Sequence, residues 1–100
     1  MSETRIGGVA LVQSDHATNG KLKAKATTLE LVAANAHRVS ITICNDGTKT
    51  LYVSKGATAV KEEGIRLNKE GGCIVIDDWL GAVSVITEEG EFNVCYSEVS

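Results

Sequence analysis

The stretch HRVSITICNDGTKTLYV, residues 37–53, has the pattern of two β-strands joined by a tight turn. Apolar residues alternate with smaller or polar ones on both sides of a polar segment: Val39, Ile41 and Ile43 before it, Leu51 and Val53 after it. The segment Asn45-Asp46-Gly47 between them supplies residue types that tolerate a positive φ. The stretch therefore predicts a β-hairpin, and nothing in it indicates catalytic chemistry.

The same alternation recurs in the runs 21–27, 73–77, 82–86 and 91–99, which are separated by glycine- and asparagine-containing turn signals. Short strands at regular spacing are typical of an all-β protein, so we predict a single antiparallel β-sandwich of about eight short strands. Jelly-roll, immunoglobulin-like and barrel closures all remain open. Residues 21–100 are predicted to form the sandwich domain, and residues 1–20 an N-terminal arm or an edge strand.

One segment, TTLELVAANAHR at residues 27–38, has good helix formers and could be read as a helix. Its apolar residues form no continuous helical stripe, however, whereas Leu29 and Leu31 alternate as they would in a strand. We therefore favour a strand followed by a turn over residues 33–37.

Composition and charge limit the classes of function. The chain has 100 residues, of which 43% are apolar, and a net charge of -3, which does not fit the basic surface that nucleic-acid binding requires. No apolar run is long enough to span a membrane, and the first residues do not resemble a signal peptide.

Three widely spaced cysteines, Cys44, Cys73 and Cys95, fit neither a disulfide framework nor a CxxC metal site. We expect all three thiols to be free, in a protein made in a reducing cytoplasm.

The sequence contains no pattern that predicts an enzyme. His16 lies in a polar stretch and His37 in a predicted turn, and the Asp77-Asp78 pair lacks the spacing of a calcium loop. Phosphate-binding loops and hydrolase motifs are absent from the sequence. We therefore predict no catalytic residue, no cofactor and no metal ligand.

Five residues are candidates for contact with other proteins. Trp79 and Leu80 lie in a predicted loop, where Trp79 either covers one end of the sandwich or binds a partner. The other three are apolar residues of the predicted arm: Ile6, Val9 and Leu11. A row of lysines, Lys21, Lys23 and Lys25, is typical of an edge strand kept in solvent.

The order of turns and strands from residue 29 to residue 99 resembles small structural proteins of tailed bacteriophages. In that pattern an Ala-Asn turn precedes an Arg-initiated strand, and an Asn-Asp-Gly turn precedes a strand with an aromatic residue. A Gly-Ile-x-Leu step, a glycine-rich turn, a Gly-Ala-Val strand and a closing strand follow. The matching positions are Asn35, Arg38, Asn45, Gly47, Tyr52, Val53, Gly64, Ile65, Leu67, Gly72, Gly81, Ala82 and Val83.

The resemblance implies a head-decoration, capsid-cement or head-fibre-type β-sandwich without enzymatic activity. It implies that the protein is part of the virion, is synthesised in the host cytoplasm, and bridges subunits of the major capsid protein or another virion protein. A homo-oligomer such as a trimer is expected, with no nucleic-acid or membrane partner. The alternative is a host-surface adhesion module of a head or tail fibre, which would bind glycans or protein through Trp79 and Tyr52.

Overall fold

The computed structural model describes the backbone of residues 2–6 and 9–100 and the side chains of residues 14–100. Every regular element in this part of the chain is a β-strand, so the all-β prediction is confirmed. No helix within the described residues is long and apolar enough to cross a membrane. The strands are β1 (Ser2–Ile6), β2 (Val9–Gln13), β3 (Ala17–Ala24), β4 (Leu29–Val32), β5 (Ser40–Asn45), β6 (Leu51–Lys55), β7 (Ile65–Leu67), β8 (Cys73–Ile76), β9 (Val83–Thr87) and β10 (Phe92–Val99).

Eight of the strands form two antiparallel sheets whose pairing is nested along the chain. β3 pairs with β10, β4 with β9, β5 with β8, and β6 with β7. Further pairing of β10 with β5 and of β9 with β6 completes a first sheet, ordered β3-β10-β5-β8, and a second sheet, ordered β4-β9-β6-β7. Two four-stranded sheets wound from one long folded hairpin are a jelly roll, which is one of the arrangements that the sequence left open.

The predicted hairpin between residues 37 and 53 is wrong in its pairing, although both strands are present. β5 belongs to the first sheet and β6 to the second, so the turn between them crosses from one sheet to the other. The sequence indicated a hairpin turn because asparagine, aspartate and glycine tolerate a positive φ. None of the three residues Asn45, Asp46 and Gly47 has a positive φ in the structure. Alternation predicts that a segment is a strand, but it does not specify its partner.

Asn45 holds the connection between β5 and β6 through its side chain. Its side chain is fully buried and donates through Nδ2 to the carbonyls of Lys49 (2.8 Å) and Leu67 (3.1 Å). Its Oδ1 accepts from the amide of Gly47 at 2.9 Å. Gly47 in turn packs so closely on the ring of Phe92 that a Cβ atom would overlap it. These contacts hold the connection between β5 and β6, which are not paired with each other.

The core lies between the two sheets, and each sheet contributes to one apolar cluster. The first sheet supplies Ala24, Ile41, Ile43, Ile76 and Val94. The second sheet supplies Leu31, Leu51, Val53, Leu67, Val83 and Val85. Residues 29–32 form a strand, as favoured over the helix, and of its two alternating leucines Leu31 is buried in the core whereas Leu29 is only partly buried.

The lysine row and the predicted domain boundary both fall on or beside β3. This strand is an edge of the first sheet, and Lys21, Lys23 and Lys25 are exposed, as an edge row should be. The predicted boundary between residues 20 and 21 lies within β3, which begins at Ala17. β1 and β2, which precede it, pair with each other in a separate two-stranded sheet, the β1–β2 hairpin.

The expectation that all cysteines are free is wrong for two of them. Cys44 on β5 and Cys73 on β8 are opposite one another in the register and form a disulfide. Their Cα atoms are 4.1 Å apart, close to the ~4.5 Å of a non-hydrogen-bonded antiparallel pair. The two residues are 29 positions apart in the sequence, so their spacing alone could not reveal the pairing. Cys95 is free and exposed.

Two valines provide a direct test of which strand positions face the core. Val85 on β9 is fully buried, whereas Val75 on the edge strand β8 is 58% exposed. We expect Val85→Ala to lower the free energy of unfolding by about 2 kcal/mol, because it removes buried methyl groups and leaves a cavity. The matched control, Val75→Ala, should change it by no more than about 0.5 kcal/mol. Urea unfolding measures both, and similar losses in the two variants would contradict the described packing.

Candidate functional site

The end of the sandwich that carries Trp79 is built around the buried side chain of Arg38. Only 1% of this side chain is exposed. Arg38 lies between the turn at residues 36–37 and the start of β5. Its Nε donates to Glu98 Oε2 on β10 at 2.8 Å, an ion pair in which the Glu98 side chain is 14% exposed. A buried charge is tolerated only when it is paired and hydrogen-bonded, and Arg38 meets both conditions.

The remaining donors of Arg38 hold backbone carbonyls from two loops. Nη1 donates to the carbonyls of Trp79 (3.1 Å) and Gly81 (2.8 Å), and Nη2 to that of Ala33 (2.8 Å). The amide of Asn35 donates to the carbonyl of Leu80 at 2.8 Å. Three consecutive carbonyls of the loop 77–82 therefore accept hydrogen bonds from the segment 35–38, which fixes the loop.

Trp79 is half-buried and packs against the core cluster, so it covers this end of the sandwich. Its Nε1 donates to the carbonyl of Ala82 at 2.9 Å. The ring lies over Gly81, where an added Cβ would approach the indole to 2.6 Å. Gly81 is therefore required by the close approach of the indole ring.

Leu80, in contrast to Trp79, is 49% exposed. Most of the loop around it is fixed by the hydrogen bonds to Arg38 and Asn35, and Asp78 pairs with Lys55 at 2.9 Å. An exposed leucine on a rigid loop loses little conformational entropy when a partner covers it. We call this feature the Leu80 loop, residues 77–82.

The three candidates in the predicted arm lie in the β1–β2 hairpin. The backbone register pairs Ile6 with Val9, and Leu11 with Thr4, so they occupy neighbouring positions. Their side chains lie outside the residues whose side chains the structure describes. The structure thus brings these three candidates together in one hairpin, and Trp79 and Leu80 together in another loop.

A second surface feature is an open cleft of about 340 Å³ on the second sheet, lined by Tyr52, Glu62, Gly64 and Arg66. Tyr52 on β6 and Arg66 on β7 are opposite one another in the register. An aromatic face beside one positive and one negative group can contact a polar ligand by stacking and by charge-assisted hydrogen bonds. Trp79, which the sequence grouped with Tyr52, is not among the residues that line this cleft.

The residues considered for catalysis are exposed to solvent. His16 and His37 are exposed, and His37 is in a turn as predicted. Asp77 and Asp78 follow the end of β8 and are exposed. Among the described side chains, no group of three or more His, Cys, Asp and Glu residues is placed to hold a metal ion.

In comparisons with known proteins, no family model, curated protein or solved structure matches the chain.

Sequence reasoning missed the role of Arg38 and of its partner Glu98. The sequence around Arg38 indicates a turn followed by a strand, so Arg38 was predicted only as the first residue of that strand. Its partner is 60 residues away, and the carbonyls it binds belong to backbone, which carries no sequence signal. The one available hint is an arginine directly before an alternating apolar run.

Removing Arg38 should destabilise the protein far more than removing an exposed arginine. We expect Arg38→Ala to lower the free energy of unfolding by about 3–5 kcal/mol, because Glu98 loses its partner and three carbonyls lose a donor. The matched control, Arg66→Ala, removes an exposed side chain and should cost no more than about 0.5 kcal/mol.

The measurement is urea unfolding followed by fluorescence, which reports on this loop because Trp79 is the only tryptophan. A loss below about 1 kcal/mol for Arg38→Ala would show that the guanidinium does not hold the loop.

Proposed function

We propose that this chain is a non-enzymatic virion structural protein that decorates or cements a bacteriophage capsid by bridging capsid subunits. The single observation that carries the proposal is the division of the chain into a closed jelly roll and a β1–β2 hairpin that belongs to neither four-stranded sheet. The jelly roll has its own apolar core, and the hairpin pairs with neither of its sheets.

An isolated two-stranded hairpin is only marginally stable in water, because it has little apolar surface to bury and two open backbone edges. Pairing with a strand of a neighbouring subunit, or burial against one, would remove both deficits. The apolar residues Ile6, Val9 and Leu11 in this hairpin agree with such a role.

The Leu80 loop supplies a second contact of different chemistry. It presents an apolar side chain on a fixed backbone, as described above. Two contacts on one small module allow each copy to touch two neighbouring subunits. On a lattice of many copies, weak contacts combine through high effective concentration, so strong pairwise affinity is unnecessary.

Two further considerations support the proposal. Jelly rolls recur in viral capsid domains, although also in lectins and cupins, so the fold supports the proposal only by analogy. The resemblance to phage structural proteins covers residues 29–99, which include the Leu80 loop. The partner is the major capsid protein or another virion protein, and the decorating form is a homo-oligomer such as a trimer.

The test compares phage particles made with and without the protein. We expect particles that lack it to lose infectivity at lower temperature and under milder osmotic shock, and purified protein to restore both. Leu80→Asp should weaken the apparent affinity for deficient particles by about tenfold or more, because it puts a charge into an apolar contact.

Val60→Asp is the matched control, because Val60 is 48% exposed but lies outside both proposed contacts. It should bind the particles as the unaltered protein does. Equal heat and osmotic resistance of complete and deficient particles would end the cementing proposal.

The cleft at Tyr52 favours one alternative, a host-surface adhesion module that binds glycans. Its volume of about 340 Å³ suits one or two sugar rings, and its lining combines a stacking surface with Glu62 and Arg66.

If the alternative holds, a glycan array should show binding, and Tyr52→Ala should remove it. Tyr96→Ala is the control: it changes a partly buried aromatic residue on the other sheet and should leave the binding unchanged. Phage adsorption should fall in parallel for Tyr52→Ala. An array without binding and unchanged adsorption would exclude this alternative.

A further inference from the structure

The three cysteines lie in one row across three adjacent strands of the first sheet. Cys95 on β10 is opposite Cys44 on β5, and Cys44 is opposite Cys73 on β8. Directly opposite residues of neighbouring strands point to the same face of a sheet. Cys95 and Cys44 also line the same surface depression of about 200 Å³, together with Thr42, Tyr96 and Ser97. A free thiol therefore lies beside one end of a disulfide.

The backbone hydrogen bonds define the geometry on each side of Cys44. The amide of Asn45 donates toward β8, to Gly72, and the amide of Asp46 donates toward β10, to Asn93. By alternation, Cys44 directs its own amide and carbonyl toward β10. Cys44 and Cys95 are therefore a hydrogen-bonded pair, for which the Cα–Cα distance is about 5.5 Å. That distance is within the range of about 4.4–6.8 Å that a disulfide accepts.

From this arrangement we infer that the protein carries an internal thiol–disulfide exchange site. The thiolate of Cys95 attacks Sγ of Cys44, the bond between Cys44 and Cys95 forms, and the bond between Cys44 and Cys73 breaks. Cys73 leaves as a thiolate and takes up the proton that Cys95 released. The chain keeps one disulfide and one thiol throughout, so no external oxidant or reductant is required.

Cys44 is the sulfur attacked because it is on the strand between the other two. Cys73 is two strands away from Cys95, at about twice the ~4.8 Å strand spacing, and is therefore out of reach. The consequence is that the free thiol can move from the inner strand β10 to the edge strand β8. There it lies two residues from the exposed Val75, on an edge that a thiol of another molecule can approach.

The pair Cys44–Cys73 should remain the major form. It is the disulfide present in the structure, and its non-hydrogen-bonded position brings the two side chains closer together than those of a hydrogen-bonded pair. We expect the Cys44–Cys95 form as a minority of about 1–10% of the folded protein. This inference does not depend on the proposed function.

The experiment holds the folded protein at pH 8, stops exchange with acid, and maps the disulfides by mass spectrometry. Trypsin alone leaves Cys73 and Cys95 on one peptide, because no lysine or arginine follows Lys69. Cleavage before Asp77 or Asp78 separates them. The expected result is a Cys44–Cys95 peptide in the unaltered protein at the same fraction over a tenfold range of protein concentration.

Two variants complete the design. Cys95→Ser should show only the Cys44–Cys73 bond. Cys73→Ser should form the Cys44–Cys95 bond in the same glutathione buffer in which the Cys44–Cys73 bond of Cys95→Ser is fully formed. Circular dichroism confirms that both variants are folded. The inference is overturned if the unaltered protein contains only Cys44–Cys73 after prolonged incubation. It is equally overturned if the second form grows with protein concentration, which would show exchange between chains.

Discussion

The buried guanidinium of Arg38 is the interaction on which the arrangement of this end of the molecule depends. It joins three stretches that are distant in sequence: the turn before β5, the loop between β8 and β9, and the closing strand β10. Arginine suits this position because its planar fork directs several donors at once, whereas lysine offers a single ammonium group. Each carbonyl it binds would otherwise need another donor or water, so the charge and the loop stabilise each other.

A second buried polar residue, Asn45, has the same effect at the crossing from the first sheet to the second. The side chain binds the loop that leads into β6, while its backbone carbonyl accepts from Gly71. The two polar centres together explain how a small all-β chain obtains a unique topology. The apolar core determines which residues face inward, and these hydrogen bonds determine which segments are adjacent. Both centres are fully satisfied within the described part of the chain.

The sequence predicts the strands well and their partners poorly, for a physical reason. Alternation is a local property, so the runs that contain β5, β6, β9 and β10 could be identified directly. Pairing depends on contacts between distant segments. The Asn-Asp-Gly turn was therefore read as a hairpin, and the bonded cysteines as free thiols. In the same way Trp79 and Leu80 were predicted together. The packing of Trp79 and the exposure of Leu80 depend on a backbone held by Arg38 and on the absence of a side chain at Gly81.

The proposed function rests on three features, namely the jelly roll, the separate β1–β2 hairpin and the hydrogen-bonded Leu80 loop. The central claim is that the β1–β2 hairpin and the Leu80 loop are its contact surfaces on a capsid. Electron cryomicroscopy of the intact phage particle tests it most directly. The account predicts copies of the sandwich on the outside of the shell, with the hairpin and Leu80 buried against neighbouring subunits. A shell without these copies, or copies attached through other surfaces while both features face solvent, would contradict it.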